Sequence, residues 1–587
     1  PLDLFPAGLV KNIRIIKTFI PEDPGEFSGG IVKIETVEYP DEYIFSVGVG
    51  IERNSVSTGK DFKKLKTEGG NDYLGLGPNS ITGFGSKKWD LPDIAKSLPD
   101  FIPLTGGNYG FTDESVGLIF KSSFNDNWTP KTIKAPYNYK LDLSIGDTTN
   151  LFGRKFGYFY GLTYKKDYEI TNRQEYRWSS QNYLSGKSWI PELYYISGVN
   201  QARLADYYEE KVLWGNNLNL AYKIDNNNQI YLKTFLSTNS EKVFRESLGQ
   251  KIDADQIDFI TNTSYYLARE IFSTTIGGDH GIKYTQEMKP HILKWHYNNA
   301  RAVRDEPDRK NRFWFRWVGE DRPFSAKQED GFIFYGFTED ETNTINATYE
   351  LPYSQWMGLE AKLKFGYETF NREKSFKSKS YRYQRAGQDT ILEEYPAPGE
   401  LTFNLGRILA DEYVVKQALI AQNDAYDAEQ DINSVFVQTD LPIVSNIRVI
   451  GGVRSENNEQ KVHTKQVTIL NPQNYLQLDC SPDGSEYLRN FLIQRNLCNP
   501  AYAELNENNL LPSINVVYEF VKDQNLRLAY YETVTRPDTR EMSEFAFTPY
   551  AGGERVQGNS TLKSSRIINY DVRWEWYLTA EEYIGFA

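Results

Sequence analysis

The stretch Arg566-Ile-Ile-Asn-Tyr-Asp-Val-Arg-Trp-Glu-Trp-Tyr577 decides the fold class of this chain. From Tyr570 to Trp576, aromatic or aliphatic residues occupy every second position, and polar, mostly charged residues lie between them. Because successive side chains of a β-strand point to opposite faces, the pattern predicts a strand with one apolar and one polar face. In a soluble sandwich the apolar face is buried, whereas in a transmembrane barrel it faces lipid around a polar interior. The choice between these two arrangements decides what the protein does.

The composition excludes a helical membrane protein. The chain has 587 residues and a mean hydropathy of -0.58, without any uninterrupted apolar run of the about 18 residues that a spanning helix needs. Barrel strands remain compatible with this value, because their alternating residues average to a polar score. The net charge of -13 argues against nucleic acid as a partner, since nucleic-acid binding needs basic patches.

Alternating segments recur along the chain and come in pairs. Each pair is joined by a short turn rich in Asn, Asp, Pro or Gly, which predicts a β-hairpin. The paired segments are 137–145 with 156–164, 214–222 with 230–237, 343–351 with 358–370, 433–441 with 447–456, and 511–520 with 525–534. With the segment 43–51 and a last strand near Tyr583, we expect about 14 or 15 strands.

The connections between hairpins are long. They cover residues 54–136, 169–206, 243–261, 305–329, 373–430, 457–509 and 535–565. Short turns on one side and long loops on the other are typical of an outer-membrane barrel, so we predict an all-β fold, a transmembrane antiparallel β-barrel. Within the loops, helix-like spacing predicts helices at 91–98 and 404–422.

The first 40 residues differ from the rest. Residues 10–17 and 31–36 read as two short strands without a lipid-facing stripe, separated by Pro21-Glu-Asp-Pro-Gly25 and a turn at Gly29-Gly30. This hairpin resembles the end of the plug domain of TonB-dependent outer-membrane receptors. The matching residues are Pro24-Gly-Glu-Phe-Ser-Gly-Gly30 and Ile34-Glu-Thr36.

Four further stretches are similar to the large receptors of this family that carry an extra N-terminal domain. They are Arg304-Asp-Glu-Pro-Asp-Arg309, Gly452-Val-Arg-Ser-Glu456, Leu511-Pro-Ser-Ile514 through Thr535-Arg-Pro-Asp538, and Gly558-Asn-Ser-Thr-Leu-Lys563 running into Asn569-Tyr-Asp571. The resemblance covers essentially the whole chain in family order. It implies that residues 1–40 are the C-terminal end of a plug domain and that residues 41–587 are the barrel.

The resemblance also implies what the chain lacks. The family's barrel has about 22 strands. We therefore expect a fragment without most of the plug, without the segment that contacts TonB and without the last strands. A sheet with about 14 or 15 strands is expected to keep an open edge, with unpaired backbone groups in lipid.

The function implied is TonB-dependent active transport of a scarce nutrient, a siderophore, glycan or similar, across the cell outer membrane. The implied partners are the TonB complex of the inner membrane, outer-membrane lipid, an unknown small-molecule or oligosaccharide ligand and a surface lipoprotein. No cofactor and no enzymatic activity are implied. Two alternatives stay open: a passive porin or adhesin barrel, and a soluble all-β protein active on glycans.

Candidate site residues fall into three groups. The candidates for contacts between plug and lumen are Glu26, Arg536, Asp538, Asp571, Arg573 and Glu575. The candidates for ligand contacts in loops are Trp178, Trp189, Tyr194, Tyr195, Tyr487 and Tyr550. The two cysteines, Cys480 and Cys498, lie in one Asn/Asp/Pro-rich segment and predict either a loop disulfide or two free thiols.

No catalytic or metal-binding constellation stands out. The four histidines are scattered among strands and loops, and Gly83-Phe-Gly85 lacks the spacing of a phosphate-binding loop. The charged stretch 304–309 is expected to form a salt-bridged loop base at the barrel rim.

Overall fold

The protein is almost entirely β-strand in the computed structural model. The structure describes residues 10–36, 40, 42–93, 96, 123–125, 127–178, 199–251, 257–283, 289–319, 325–326, 332–385, 413–417, 425–465, 502–543, 546–547, 556–579 and 582–587. The strands are β1 Val10–Ile16, β2 Ile31–Thr36, β3 Ile44–Glu52, β4 Asp61–Lys64, β5 Lys131–Lys134, β6 Asn138–Leu151, β7 Arg154–Trp178, β8 Val199–Lys223, β9 Asn228–Lys251, β10 Ile257–Ile282, β11 His291–Trp317, β12 Ser325–Ala326, β13 Phe332–Ser354, β14 Glu360–Arg385, β15 Tyr413–Gln417, β16 Ala425–Val444, β17 Ile447–Lys465, β18 Tyr502–Val521, β19 Gln524–Thr535, β20 Ala546–Phe547, β21 Val556–Gln557, β22 Ser565–Tyr577 and β23 Tyr583–Phe586. A short α-helix, α1, covers Thr539–Met542, and two single-turn 3-10 helices cover Asp72–Leu74 and Lys87–Trp89.

The large sheet is a barrel of antiparallel neighbours. Its order is β3-β6-β7-β8-β9-β10-β11-β13-β14-β16-β17-β18-β19-β22-β23, with β12 and β15 as short pieces beside β11 and β14. Within the described part of the chain, this makes 14 longer strands and the four-residue β23, in agreement with the expected number. Short turns join the strands at one end, here called the short-turn end, and the long connections lie at the other, the long-loop end.

The sheet does not keep the open edge that the sequence analysis expected. The ring of strands is closed, so that expectation is wrong. The physical reason is that closure does not need the family's full strand number, since barrels of eight strands and more close with a suitable tilt and stagger. The seam between β3 and β23 is largely exposed: every residue of β23 and all but one of β3 are solvent-accessible.

The outer face carries an exposed apolar belt near the short-turn end. Its members include Val47, Val49, Leu141, Ile230, Ile276, Tyr297, Ile345, Tyr367, Val435, Ile514, Leu528, Tyr570 and Val572. In β22, Tyr570 and Val572 are 76% and 60% exposed, while the alternating residues Asp571 and Arg573 lie on the inner face. The strand quoted at the outset therefore has its apolar face outside, as a membrane barrel requires.

The strands are longer than their apolar stripes. Strands β7 to β11 have 24 to 27 residues each, so they continue well into stretches that the sequence analysis assigned to loops. Beyond the membrane band neither face needs to be apolar, and the period-2 signal disappears although the backbone pairing continues. The helix predicted at 404–422 is wrong where the structure describes it, because residues 413–417 form β15. Of the helix predicted at 91–98, residues 93 and 96 are helical, and most of the remainder lies outside the described residues.

The charged stretch 304–309 lies inside strand β11 rather than in a loop. The register with β13 shifts between Glu306 and Arg309, where Asp308 has a φ of 58°. This bulge absorbs one extra residue and turns the following side chains to the other face. The salt bridges expected there are present, since Glu306 accepts from Arg304 at 2.8 Å and from Arg309 at 2.9 Å.

Two segments outside the barrel sheet pack on its wall, one on each face. Residues 17–29, here called the inner segment, join β1 to β2 and lie against the inner faces of β14 and β16 to β19. Residues 53–93 with 123–135, here called the outer strap, connect β3 to β6. They pack on the outer faces of β7 to β14 above the apolar belt. The long connection 54–136 is thus held on the wall where the structure describes it.

Candidate functional site

The inner segment joins the wall through main-chain hydrogen bonds. Phe27 N donates to Val534 O at 3.3 Å, and Val534 N donates to Gly25 O at 2.9 Å, which forms a parallel bridge at Glu26. The hydroxyl of Thr533 donates to Phe27 O at 2.9 Å. The segment therefore adds one short strand-like contact to β19 and uses few of the backbone groups available to it.

A small aromatic cluster seals this contact. Phe19 and Phe27 are buried against Leu511, Tyr531 and Val534. The ring of Phe27 lies 5.9 Å from that of Phe19 and 6.0 Å from that of Tyr531, both edge to face. Burying one such phenyl ring contributes about 1.5–3 kcal/mol, so two anchors are enough to hold a short segment.

The centre of the site is a buried charge network on β17. Glu456 Oε1 accepts from Gly25 N at 2.9 Å and from Arg454 Nε at 2.6 Å. Glu456 Oε2 accepts from a terminal nitrogen of Arg536 at 2.8 Å. Arg454 also donates to Glu368 Oε1 at 2.8 Å. Because Arg454, Glu456 and Arg536 are all buried, their charges must be satisfied by each other, by Glu368 and by the inner segment.

Glycine is required at position 25 because the wall leaves no space for a side chain there. A Cβ on Gly25 would lie 2.3 Å from Leu511 Cδ1 and 2.7 Å from Glu456 Oε2. The absence of a side chain lets the backbone of the inner segment approach the carboxylate directly.

Glu26 lies beside this network, and its carboxyl group has a raised pKa. Although its side chain is partly exposed, burial raises its pKa. Arg536 opposes that rise, and the carboxylate of Glu456 adds to it. The docked segment therefore favours the neutral form of this carboxyl more than free water does.

A second polar contact holds the inner segment further along the wall. Glu22 Oε2 accepts from Lys364 Nζ at 2.8 Å, and Glu22 N donates to Gln438 Oε1 at 3.3 Å. Lys364 also faces Glu350 at 3.6 Å. Lys364 therefore has a carboxylate on the wall to turn to when the segment leaves.

Asp538 caps helix α1 above the site. Its side chain accepts from Arg540 N at 2.8 Å, and Asp538 N donates to Glu541 Oε2 at 3.0 Å, which completes a capping box. Burial alone would raise the pKa of Asp538, but Lys374 at 3.2 Å and the helix N–H groups hold it below its usual range. This residue organises the loop after β19, and its charge helps to raise the pKa of Glu26 in the inner segment.

The remaining candidates for contacts between plug and lumen lie at different distances from the inner segment. Asp571 Oδ2 lies 2.9 Å from the hydroxyl of Tyr531, which is also 3.3 Å from Lys17 O, so Asp571 is one side chain away from the inner segment. Arg573 and Glu575 lie lower on the same face, where Glu575 accepts from Arg527 Nε at 2.6 Å. Arg573 lies 3.4 Å from the same carboxylate, so these two residues pair with each other and with the neighbouring strand.

The loop candidates are not placed. Trp178 ends β7, but its side chain, together with Trp189, Tyr194, Tyr195, Tyr487, Tyr550, Cys480 and Cys498, lies outside the described residues. Their proposed roles remain predictions from the sequence.

The sequence analysis did not select Arg454, Glu456, Glu22 or Lys364 as site residues. Arg454 and Glu456 belong to the stretch 452–456 that carries part of the family resemblance, and this was the available signal. Nothing in the sequence indicates that Glu456 meets Gly25, 431 positions earlier.

Neither a metal centre nor a spanning helix is found in the described ranges. Within them, His, Cys, Asp and Glu side chains form no group of three or more suited to holding a metal ion. The same ranges contain no helix with the length and apolarity needed to cross a membrane.

Comparison with known families gives a match over most of the barrel. The model of the family described as "TonB dependent receptor-like, beta-barrel" matches residues 214–583, which is more than half of the chain. No match was found among curated proteins.

Solved structures show only a loose likeness. The siderophore receptor PiuA from Acinetobacter baumannii is 10% identical with a TM-score of 0.37, over 75% of this chain and 53% of that one. The chain thus spans about half the length of that receptor. The ferric citrate transporter FecA in the unliganded form is 8% identical with a TM-score of 0.23, over 98% and 78%. The RagAB peptide importer in its closed-closed state is 9% identical with a TM-score of 0.28, over 98% and 75%.

Proposed function

The chain belongs to the family of TonB-dependent receptor β-barrels of the outer membrane, and from this membership we propose that it is an active transporter. In this proposal residues 1–40 are the end of a plug domain, and the barrel spans the membrane around them. A scarce nutrient binds from outside, and the TonB complex of the inner membrane supplies the energy that moves the plug. Binding and movement need no covalent chemistry, so no enzymatic activity is proposed.

The observation that carries the proposal is the way in which the inner segment is held. It occupies the inner wall, where a passive pore would be open, and its contacts are those of a removable part. These contacts are two phenyl rings, a few main-chain hydrogen bonds and one buried carboxylate. When the segment leaves, Glu456 keeps two arginines and Lys364 keeps Glu350, so the wall stays largely satisfied.

The two alternatives fit these observations less well. A passive porin does not need a hairpin such as β1 and β2, with the stretch Pro24–Gly30 between them, ahead of its first barrel strand. A soluble glycan-active protein would bury the apolar face of its strands, whereas the belt on the outer face is exposed. The nutrient and a surface lipoprotein partner remain proposals for which the described residues supply no contact.

A reversible lock tests the transport mechanism. Glu26 and Val534 face each other across the parallel bridge, so the double variant Glu26→Cys with Val534→Cys places two thiols at a backbone separation suited to a disulfide. The native host would express the full-length protein and be tested for growth on siderophores, peptides and glycans as scarce sources. We expect one source to require the protein, the TonB complex and the proton gradient.

Oxidation of the double variant should stop uptake of that source, and a reductant should restore it. Each single cysteine variant serves as the matched control and should transport normally under both conditions. Uptake that continues without TonB, or in the oxidised double variant with the disulfide shown by mass, would overturn the transport proposal.

A further inference from the structure

The edge of the outer strap nearest the short-turn end, here called its lower edge, reaches the apolar belt. Val49 and Leu141, two exposed members of the belt, pair with each other on β3 and β6, and Leu141 also pairs with Tyr164 of β7. The hydroxyl of Tyr164 donates to the main-chain oxygen of Tyr73 in the strap. The strap is thus in direct contact with the rim of the surface that faces lipid.

The turn that carries Tyr73 is fixed to the wall on both sides of this residue. It is a single 3-10 turn, in which Asp72 is buried in an ion pair with Lys242 of β9. The main-chain oxygen of Leu74 accepts from the indole N–H of Trp214 on β8. The ring of Tyr73 between these two anchors is 56% exposed, so the wall holds an exposed ring in place at the lower edge.

A second exposed ring lies beside this turn. Phe84 is 71% exposed, and its main-chain oxygen accepts from the side-chain amide of Asn71 at 2.6 Å. The chain is anchored on both sides of Phe84, because the hydroxyl of Ser80 donates to Glu270 of β10 at 2.7 Å and Trp89 is fully buried. The ring of Phe84 is therefore carried by a short loop whose position is set by the wall.

The two rings continue the character of the belt. Tyr139, an exposed residue of β6, stacks on Tyr164 with ring centres 5.9 Å apart, and the strap with Tyr73 and Phe84 follows directly. Aromatic side chains concentrate where acyl chains meet headgroups, because their rings suit both environments. The long-loop end of an outer-membrane barrel lies outside the cell, so this edge of the strap is at the height of the outer leaflet.

The outer wall of β13, β14 and β16 has a different border above the belt. Glu341, Glu373 and Glu429 lie side by side there on the outer face. Glu341 is four residues from the belt residue Ile345 on the same strand, which is about 13 Å at 3.3 Å per residue. Charged groups that face lipid are costly, so the lipid boundary on this side lies below the glutamates. On the strap side, aromatic rings occupy the border instead.

We propose that Tyr73 and Phe84 form a lipid-facing lip of the outer strap, and that lipid of the outer leaflet covers this lip at the boundary between acyl chains and headgroups. The ring of Phe84 enters the boundary as an apolar body, whereas Tyr73 keeps its hydroxyl among the headgroups. The bilayer thereby adds to the wall contacts that hold the strap. The lip depends on the outer-membrane barrel and not on the transport function proposed above.

The test measures how deeply each ring position lies in a bilayer. The purified full-length protein carries Cys480→Ser and Cys498→Ser, with either Phe84→Cys or Tyr73→Cys labelled by the fluorophore NBD, in nanodiscs of phosphatidylethanolamine and phosphatidylglycerol that hold one copy each. We expect lipid with a doxyl group close to the headgroup to quench both probes strongly. Lipid with the doxyl group near the end of the acyl chain should quench them less, and aqueous iodide should quench them weakly.

Two further positions calibrate the result. Val56→Cys is the matched control, because Val56 is 55% exposed on the same strap, but its neighbour Ser57 accepts from Ile170 N, about 20 Å along β7 from Tyr164. Iodide should quench this probe and neither doxyl lipid should. Tyr570→Cys lies in the belt and should be quenched by both doxyl lipids, more strongly by the deep one.

Two outcomes would overturn the lip. One is quenching by doxyl lipid that is no stronger in Phe84→Cys and Tyr73→Cys than in Val56→Cys. The other is a probe in Phe84→Cys that is shielded from iodide and that neither doxyl lipid quenches, because protein rather than lipid would then cover the surface. A second copy of the chain cannot provide this cover in a nanodisc that holds a single copy.

Hydrogen exchange tests the lip without a fluorophore. In the same nanodiscs, Phe84→Ser should speed up exchange in residues 71–85 about tenfold or more, because burial of one phenyl ring in lipid contributes at least this factor. Val56→Ser should exchange like the wild type. Unchanged exchange in Phe84→Ser would overturn the contribution of lipid to holding the strap. The uptake assays do not enter this decision, so the lip and the transport function fail separately.

Discussion

The inner segment and the outer strap both dock on the barrel wall, but they are held by different means. The strap buries Trp89, Phe62 and Leu65 against strands β7 to β10, and its Asp72 forms a buried ion pair with Lys242 at 2.8 Å. The Trp89 ring lies 4.9 Å from that of Tyr266. The inner segment has two anchoring phenyl rings and a charge network that belongs mainly to the wall. The strap is therefore bound as a fixed part of the barrel wall, whereas the weaker contacts of the inner segment agree with the movable role proposed for it.

The two docking sites also differ in which charged residues of the wall keep their partners after the docked segment is removed. Removal of the strap takes the Asp72 carboxylate and the Trp89 ring away from Lys242 together with the burial that they provide. When the inner segment is removed, Glu456 loses only the hydrogen bond from Gly25 N. It keeps both of its arginines. A docked part that leaves a satisfied wall behind can be exchanged at moderate energy.

The largest effect is expected from emptying the strap's core. Trp89→Ala removes a fully buried indole and its hydrogen bond to Asp72, and should lower the free energy of unfolding by about 3–5 kcal/mol. Guanidinium unfolding followed by tryptophan fluorescence, with limited proteolysis of the strap, measures this change. The control is Trp356→Ala, because Trp356 is 70% exposed in a turn. Equal losses in both variants would show that the strap is not an integral part of the barrel.

The next effect separates the two regions. Glu456→Gln takes the carboxylate away from buried Arg536 and leaves Arg454 with Glu368 alone, and should weaken docking of the inner segment by about 3 kcal/mol. Hydrogen exchange of residues 17–29 should speed up, while exchange in the strap should not change. Glu459→Gln, which lies on the same strand and loses only an exposed pair with Lys461, is the matched control. Faster exchange in the strap would contradict the separation of the two regions.

A smaller effect tests the close approach of the inner segment alone. Gly25→Ala places a methyl group against Leu511 and Glu456 and should weaken docking by about 1–3 kcal/mol. Hydrogen exchange at Phe27, whose N–H bonds to Val534 O, reports the loss. Gly29→Ala is the control, because nothing lies within 4 Å of a Cβ there. Unchanged exchange in Gly25→Ala would mean that the segment already sits away from the wall in solution.

The sequence predicted the strands of the barrel better than it predicted the docking site of the inner segment. The alternation in 566–577 and the hairpin turns predicted the strands, because the membrane forces one face to be apolar. The upper halves of β7 to β11 were missed, because there the strap covers the outer face and both faces carry polar residues. The stretch 304–309 was read as a loop because a proline among charges breaks the pattern, although a bulge keeps it in the strand. The pairing of Gly25 with Glu456 depends on closure of the whole sheet, which no local pattern encodes.

The smallest expected effect is a pH dependence of opposite sign in the two regions. Burial raises the pKa of Glu26, so its contribution to docking is fully present below the ordinary value near about 4.3 and is lost as pH rises through the raised value. For Asp72, burial acts to raise the pKa, but Lys242, Gly69 N–H and Trp89 hold it below the usual value. Its contribution is therefore present above the ordinary pKa near about 3.9 and is lost as pH falls through the lowered value.

Acidification should therefore tighten the inner segment while it loosens the strap. Hydrogen exchange, corrected for the intrinsic pH dependence of exchange, compares residues 17–29 with residues 61–90 between about pH 3 and about pH 7. In Glu26→Gln the inner segment should lose its pH trend and the strap should keep its own. In Asp72→Asn the reverse should hold. If both regions loosen together on acidification, Glu26 does not control docking, and the distinction between a fixed strap and a removable segment must rest on the buried contacts alone.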